Sequence, residues 1–226
     1  AVAKQLNASA VIVDSHVSTI LDSRESVSTI VPLGDLASFK NGVNFNTRSR
    51  GARVTLVGVG DFAENMRVPV RSLASVTVEG ELSPELFLQS GDILTVRSNG
   101  SKQLVGRCML VGDDIGVATF SGFVIRIRPD RKQIRPLYLL EILKSNRTRA
   151  VLTSSGGGAN ISNINQGKLA ALEIPLPSIS VQDSICSSVG EIREESTRLA
   201  DLLTAKLAAL DALKQSLLHH AFAGQL

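Results

Sequence analysis

The sequence predicts an α+β fold, a mixed domain of many short strands followed by one long, coiled-coil-forming C-terminal helix. Three observations predict it. Short β-branched runs bounded by Gly, Asp, Asn or Pro recur between residues 53 and 129. Apolar residues at helical spacing run on from residue 179 with no proline among them. A hydrophobic content of 43% supports a core, and one Tyr, no Trp and seven Phe make that core aliphatic.

The elements follow in order. Leu6, Ala10, Val13, Val17, Ile20 and Val27 trace the seam of an amphipathic helix within residues 1–30, although the run Val11-Ile12-Val13 leaves a strand open. Asp22, Ser23, Ser26 and Ser28 then read as a linker to Pro32. Residues 31–178 form the mixed domain. Its strands are expected at "RVTLVGV" (53–59), "SVTVEG" (75–80), "DILTVRS" (92–98), "GRCMLV" (106–111) and "GFVIRIRP" (122–129). In the last of these, Phe123, Ile125 and Ile127 alternate with Val124, Arg126 and Arg128. That alternation predicts one buried face, with the two arginines on the other. A helix follows from Pro136, with Leu137, Leu140, Ile142 and Leu143 on its apolar face. Lys144, Arg147 and Arg149 are expected at its carbonyl end, where positive charge is stabilised.

Residues 179–226 carry the clearest element. Ser180 and Asp183 have capping-box-like spacing after Pro175 and Pro177. Ile185, Val189, Ile192, Leu199, Leu203, Leu207, Leu210, Leu213 and Leu217 make a seam that only Ser196 interrupts, and Gly224 ends it. A helix of this length runs about 60 Å. A leucine stripe that long needs a cover: the 1–30 helix, a second copy of the chain, or another protein.

Charge narrows the function. The formal net charge is +3, but residues 31–150 hold 17 Lys or Arg against 11 Asp or Glu, whereas residues 151–226 hold 5 against 7. The surplus is mostly arginine, suited to bidentate contact with phosphate or guanine. Cys108 and Cys186 form no CxxC or His-Cys cluster and read as thiols of a reducing cytoplasm. No run reaches the length of a membrane span, and no signal peptide is evident. Catalytic motifs fail one by one. "SSGGGANISNINQGK" lacks the Walker A glycine, since Ser162 stands five residues before Gly167. "VGVGDFA" (57–63) fits a loose dinucleotide pattern but is followed by "MRVPV" rather than a helix. His16 has no ligand partner at metal spacing, and adjacent His219 and His220 point in different directions. There is no Gly-x-Ser-x-Gly elbow, no Glu-x-Lys and no Asn-Pro-Pro-Tyr or Asp-Pro-Pro-Tyr. The sequence reads as a binder, not an enzyme.

Three stretches carry a family resemblance: "GDILTVRSNGSKQLVGRCMLV" (91–111), "SSGGGANISNINQGKLAALEIPLPSISVQ" (154–182) and "LDALKQSLLHHAFAGQL" (210–226). In order and spacing they resemble type I restriction-modification specificity subunits, over about residues 31–226. In that family a target-recognition domain ends in an Asn-Ile-Ser loop, a short helix and an Ile-Pro-Leu-Pro strand end. A long helix then begins near a Gln and closes with Ala-Phe-x-Gly-x-Leu. The matching positions are residues 160–162, 174–177, Gln182 and residues 221–226. Ser162 or Asn163 is expected to cap the short helix.

The resemblance implies a non-catalytic subunit of the cytoplasm. It would read a half-site of double-stranded DNA and dock methyltransferase and restriction (motor) subunits. S-adenosylmethionine and ATP belong to those partners, so no cofactor is expected here. The usual member has two recognition domains separated by two antiparallel helices; this sequence has one of each and no internal repeat. That implies a half-subunit forming a homodimer through Leu199, Leu203, Leu207, Leu210, Leu213 and Leu217. For DNA contact the candidates are Arg97, Ser98, Asn99 and Lys102, in a turn that ends a strand, with Arg126 and Arg128 on an open strand face. A merely solvated strand face stays open for the last two. An adaptor that does not read DNA, or the recognition domain of a fused methyltransferase-nuclease, are the competing readings.

Overall fold

The computed structural model describes residues 29–45, 49–62, 66–101, 103–153 and 163–223, together with Ser15. The helix expected in residues 1–30 therefore lies outside the described residues, apart from Ser15, which is helical. Gly224 lies outside them too.

The five expected strands form, as β3 (Arg53–Val57), β4 (Ala74–Thr77), β5 (Ile93–Val96), β6 (Cys108–Leu110) and β8 (Val124–Pro129). Four more join them: β1 (Thr29–Pro32), β2 (Ala37–Asn41), β7 (Ala118–Phe120) and β9 (Glu173–Leu176). A four-stranded antiparallel sheet, in the order β2-β8-β5-β6, lies at the centre. Beside it stands a three-stranded sheet, β4-β3-β7, in which β3 and β7 run parallel. The third sheet is the antiparallel pair β1-β9. Residues 29–32 are thus a strand, and the linker expected to run to Pro32 stops short of it. Its hydrogen bonds come from a partner more than 140 residues away (Thr29 faces Leu176), which no local pattern encodes.

The period of two sorts the central sheet into two cores. Ile93, Ile125 and Ile127 face a cluster with the helical residues Tyr138, Leu139 and Leu143. Leu94, Val96 and Val124 face a second cluster with Val57, Phe62 and Phe120. The sheet is therefore covered on both sides.

Around it lie α1 (Leu33–Leu36), α2 (Pro136–Lys144), α3 (Asn146–Thr153), α4 (Gln166–Ala170) and α5 (Ile179–Phe222). The helix expected from Pro136 ends earlier than its basic residues suggest. Ser145 is extended, at φ −58° and ψ 144°, and its Oγ accepts the Thr148 amide at 3.2 Å. It stops α2 and caps the start of α3. Lys144 keeps its place in the last turn of α2, but Arg147 and Arg149 belong to α3. The cap of α4 is Asn165, whose side chain accepts the Lys168 amide at 2.8 Å, rather than Ser162 or Asn163. The dinucleotide-like "VGVGDFA" is a 3-10 turn at residues 59–62, with Asp61 Oδ2 accepting the Gly58 amide at 2.8 Å.

The 44-residue α5 spans about 66 Å. It begins after Ser178, and no side chain caps it. Asp183 binds Arg135 instead, with Arg135 Nε at 2.8 Å from Oδ1 and Nη2 at 3.0 Å from Oδ2. Gln182 next to it is fully buried. Its Oε1 accepts the Arg135 amide at 2.8 Å, and its Nε2 donates to the carbonyls of Gln133 (3.1 Å) and Pro177 (2.9 Å). One amide side chain thus ties the helix start to both segments that approach it. Ile185 and Val189 continue into the first core. Further along, Arg193 Nη2 lies 2.6 Å from Glu141 Oε2. Beyond that ion pair the helix leaves the core.

Both thiols are free, and burial pushes each up to about 11. Among the described residues no helix is long and apolar enough to cross a membrane, and no His, Cys, Asp and Glu group could hold a metal ion.

Candidate nucleic-acid interface

At the end of β5 the chain leaves the central sheet and returns as β6. Gly106, at φ +79°, makes that return possible, and its amide donates to the Val96 carbonyl at 3.0 Å. Arg97 continues the ladder by one residue, donating its amide to the Phe123 carbonyl at 2.9 Å. Its own carbonyl accepts the amide of Ile164, a fully buried residue beyond the Asn-Ile-Ser element, at 2.8 Å. The far end of the amide-rich loop is thereby pinned to the candidate site. Residues 160–162, like the three glycines before them, lie outside the described residues.

Asn99 folds the turn, its Oδ1 accepting the Ser101 amide at 2.9 Å. Arg97, Ser98 and Asn99 are half-buried; Lys102 lies outside the described residues. Two more cations gather here that the sequence reading did not select. Arg107 Nε donates to the Gln103 carbonyl at 3.2 Å and its Nη1 to the Phe62 carbonyl at 3.3 Å. Arg149 reaches from α3 to the same Gln103 carbonyl. A carbonyl satisfies the hydrogen bond but leaves the full positive charge. Neither Arg97 nor Arg149 has a carboxylate partner among the described residues, and the Arg97 Nε is buried without a partner. A turn held by backbone hydrogen bonds therefore carries polar side chains within a basic patch whose Arg97 and Arg149 have no carboxylate partner among the described residues, the combination that binds phosphate and reads base edges.

Arg126 and Arg128 do not share this patch. They do face away from Ile125 and Ile127, as their alternation predicts, but that face is not open. The segment around Pro84–Leu86 crosses it. Arg126 is buried, donates from Nη1 to the Glu85 carbonyl and lies 6.0 Å from the Phe120 ring centroid. Desolvation first, and then the neighbouring Arg128 charge, lower its pKa. Arg128 grips the buried Asp92 through two bonds, of 2.7 and 2.8 Å, and donates to the Phe87 carbonyl at 3.1 Å. The hydrogen bond to Asp92 raises its pKa further above neutrality. Phe123, expected on the buried face, is instead 59% exposed, because it lies in the turn before β8 rather than in the strand.

The second surface is the leucine face of α5. Leu199, Leu203, Leu210, Leu213 and Leu217 are between 45% and 61% exposed, and Leu202 shares their exposure. Leu207 is half-buried. No pairing of these side chains with another element is evident among the described residues.

A family model described as the type I restriction modification DNA specificity domain matches residues 26–200. Among curated proteins, the chain is 26% identical over 187 residues to the type I restriction enzyme StySPI specificity subunit of Salmonella potsdam, covering 82% of this chain and 40% of that protein. It is 31% identical over 122 residues to the EcoBI specificity subunit of Escherichia coli, covering 54% of this chain and 26% of that protein. Among solved structures, one from work on complex assembly and conformational transition of the type I R-M system matches at TM-score 0.73 and 16% identity. The HsdS subunit from Thermoanaerobacter tengcongensis matches at TM-score 0.61 and 17% identity. Both matches cover all of this chain and about half of the other, at 54% and 53%.

Proposed function

The chain belongs to the type I restriction-modification DNA specificity domain family, and from that premise we propose that it is the non-catalytic part that reads double-stranded DNA. The observation that carries this is the Arg97–Asn99 turn, held at the sheet end by the Phe123 and Ile164 backbones in a basic patch where Arg97 and Arg149 have no carboxylate partner among the described residues. Arg97, Ser98, Asn99 and Lys102 contact DNA; Arg107 and Arg149 supply field. Arg126 and Arg128 hold the domain together instead. The reading places the chain in the cytoplasm, docked to methyltransferase and restriction (motor) subunits that bring their own cofactors.

Salt dependence separates the two groups of arginines. Arg97→Ala should lower the slope of log affinity against log salt by about one, with stability unchanged. Arg128→Ala should leave the slope intact and cost about 3 kcal/mol, because it strands the buried Asp92 carboxylate. The opposite pattern would exchange their roles, and wild-type chain that binds no duplex at any salt would end the DNA reading. Incubation with duplex DNA, magnesium and S-adenosylmethionine should yield neither cleavage nor methylation by the chain alone. Turnover that survives repurification would refute the non-catalytic assignment.

The exposed leucines support a second element of the proposal: α5 pairs with α5 of another copy. The chain spans about half the length of the solved relatives it matches, so two copies have the extent of one such protein. An antiparallel two-fold pair sets two recognition domains apart, and the target becomes two inverted half-sites separated by a spacer.

A further inference from the structure

We infer that Phe123 is a specificity-determining residue of this interface, its ring meeting the C5-methyl group of a thymine next to the base read by Arg97. The inference rests on the DNA-reading function proposed above. Register is the first ground. β5 and β8 pair as Ile93↔Ile127 through Val96↔Val124, and just beyond that last pair the Arg97 amide donates to the Phe123 carbonyl. Arg97 and Phe123 are thus held next to each other by one backbone hydrogen bond, with Arg97 just past the end of β5 and Phe123 in the turn that leads into β8. Stacked bases are about 3.4 Å apart along each strand, so the two side chains suit neighbouring base pairs. A guanidinium reads guanine O6 and N7 in the major groove, and the thymine methyl lies in that same groove.

Rigidity is the second ground. The ring is 59% exposed, yet it does not hang from a loose loop. The Phe123 amide donates to Ser121 Oγ at 3.3 Å, the Gly122 amide to the Val43 carbonyl at 2.7 Å, and the Val124 amide to the Ser121 carbonyl at 2.8 Å. The turn is also packed: a Cβ on Gly122 would stand 2.0 Å from Asn44 Oδ1. A large apolar group fixed in water beside Arg97, which has no carboxylate partner among the described residues, fits a polyanion that offers apolar atoms at its base edges. It fits a purely phosphate-binding surface poorly, because an aromatic ring gains nothing from phosphate.

The test uses duplexes enriched by the chain from a randomised pool, with each thymine of the enriched motif then replaced singly by uracil, which lacks the C5-methyl. At one thymine, uracil should weaken wild-type binding roughly fourfold, the worth of one buried methyl group, and leave Phe123→Ala binding unchanged. Phe123→Ala should keep the wild-type salt slope and melting temperature, since the ring covers no core. Uracil costing the two proteins equally at every thymine would overturn the inference. So would a variant weakened equally on enriched and random duplexes, which would make the ring a non-specific contact. Wild-type chain that enriches no motif would overturn the DNA reading itself, and Phe123's part in it.

Discussion

Leu203→Lys should turn the dimer proposed for this chain into a monomer while leaving the recognition domain folded. The wild-type stripe sets the expectation. Left in water, each of its leucines forgoes on the order of 1.5–3 kcal/mol of burial, a surface that favours association. Leu203 is 45% exposed near the middle of the free part of the helix, so pairing through the stripe has to cover it. Lysine there places an unpaired ammonium in an apolar seam, at a cost of roughly 3–5 kcal/mol. That is a loss of more than a hundredfold in dimer affinity. The core packing of the recognition domain ends at Ile192 and does not include this position, so its unfolding transition stays where it was. Sedimentation across micromolar concentrations reads the outcome. A strict wild-type monomer that behaves like the variant would mean that residues 1–30 or another subunit covers the stripe.

Arg193→Ala should be among the most destabilising single changes in the recognition domain, at about 3–5 kcal/mol. Its Nη2 lies 2.6 Å from Glu141 Oε2, and the Glu141 side chain is only 1% exposed. Removing the guanidinium leaves a carboxylate inside the packing between α2 and α5. Replacing both residues, with Glu141→Leu and Arg193→Met, should recover most of the loss, because the buried carboxylate is then removed together with its arginine. Urea unfolding of the two variants measures this. A double variant as unstable as the single one would mean that the pair's geometry, rather than its charge, holds the joint. The outer ion pair of the same joint responds to pH. Its hydrogen bond from Arg135 holds the Asp183 carboxyl below its ordinary value of 3.8. A depressed carboxyl contributes stability above that ordinary value, and the contribution is lost as pH falls through the lower folded value. Acid should therefore loosen the start of α5 only below about pH 4.

The sequence by itself determined the elements whose signal is local. The long helix was legible because one periodic stripe, a proline pair before it and none after it admit little else. The five β-branched strands were legible for the same kind of reason, and so was the polar turn at Arg97–Asn99. The DNA-specificity family was legible from three ordered motifs, and the family match confirms it. β1, read as linker, and β2 and β7, not read as strands, are made strands by partners distant in the chain, whereas β9 was legible only through the family resemblance, as its Ile-Pro-Leu-Pro strand end. The break at Ser145 was missed as well, since a serine followed by helix formers looks the same within a helix as between two.

Tertiary structure decided which side chains meet water. Alternation placed Arg126 and Arg128 opposite Ile125 and Ile127, correctly, but a period of two says nothing about what lies across the second face. Only the fold brings residues 84–88 over it, and the fold starts the strand at Val124, which leaves Phe123 uncovered in the turn before it. Arg107, Arg149 and Phe123 join the candidate site from three separate stretches of chain, and Gln182 meets Gln133, Arg135 and Pro177 from as far as 49 residues away. Such meetings depend on long-range packing. A sequence pattern records the period of each element and its caps, whereas exposure and charge pairing are properties of the assembled surfaces, which no single element contains.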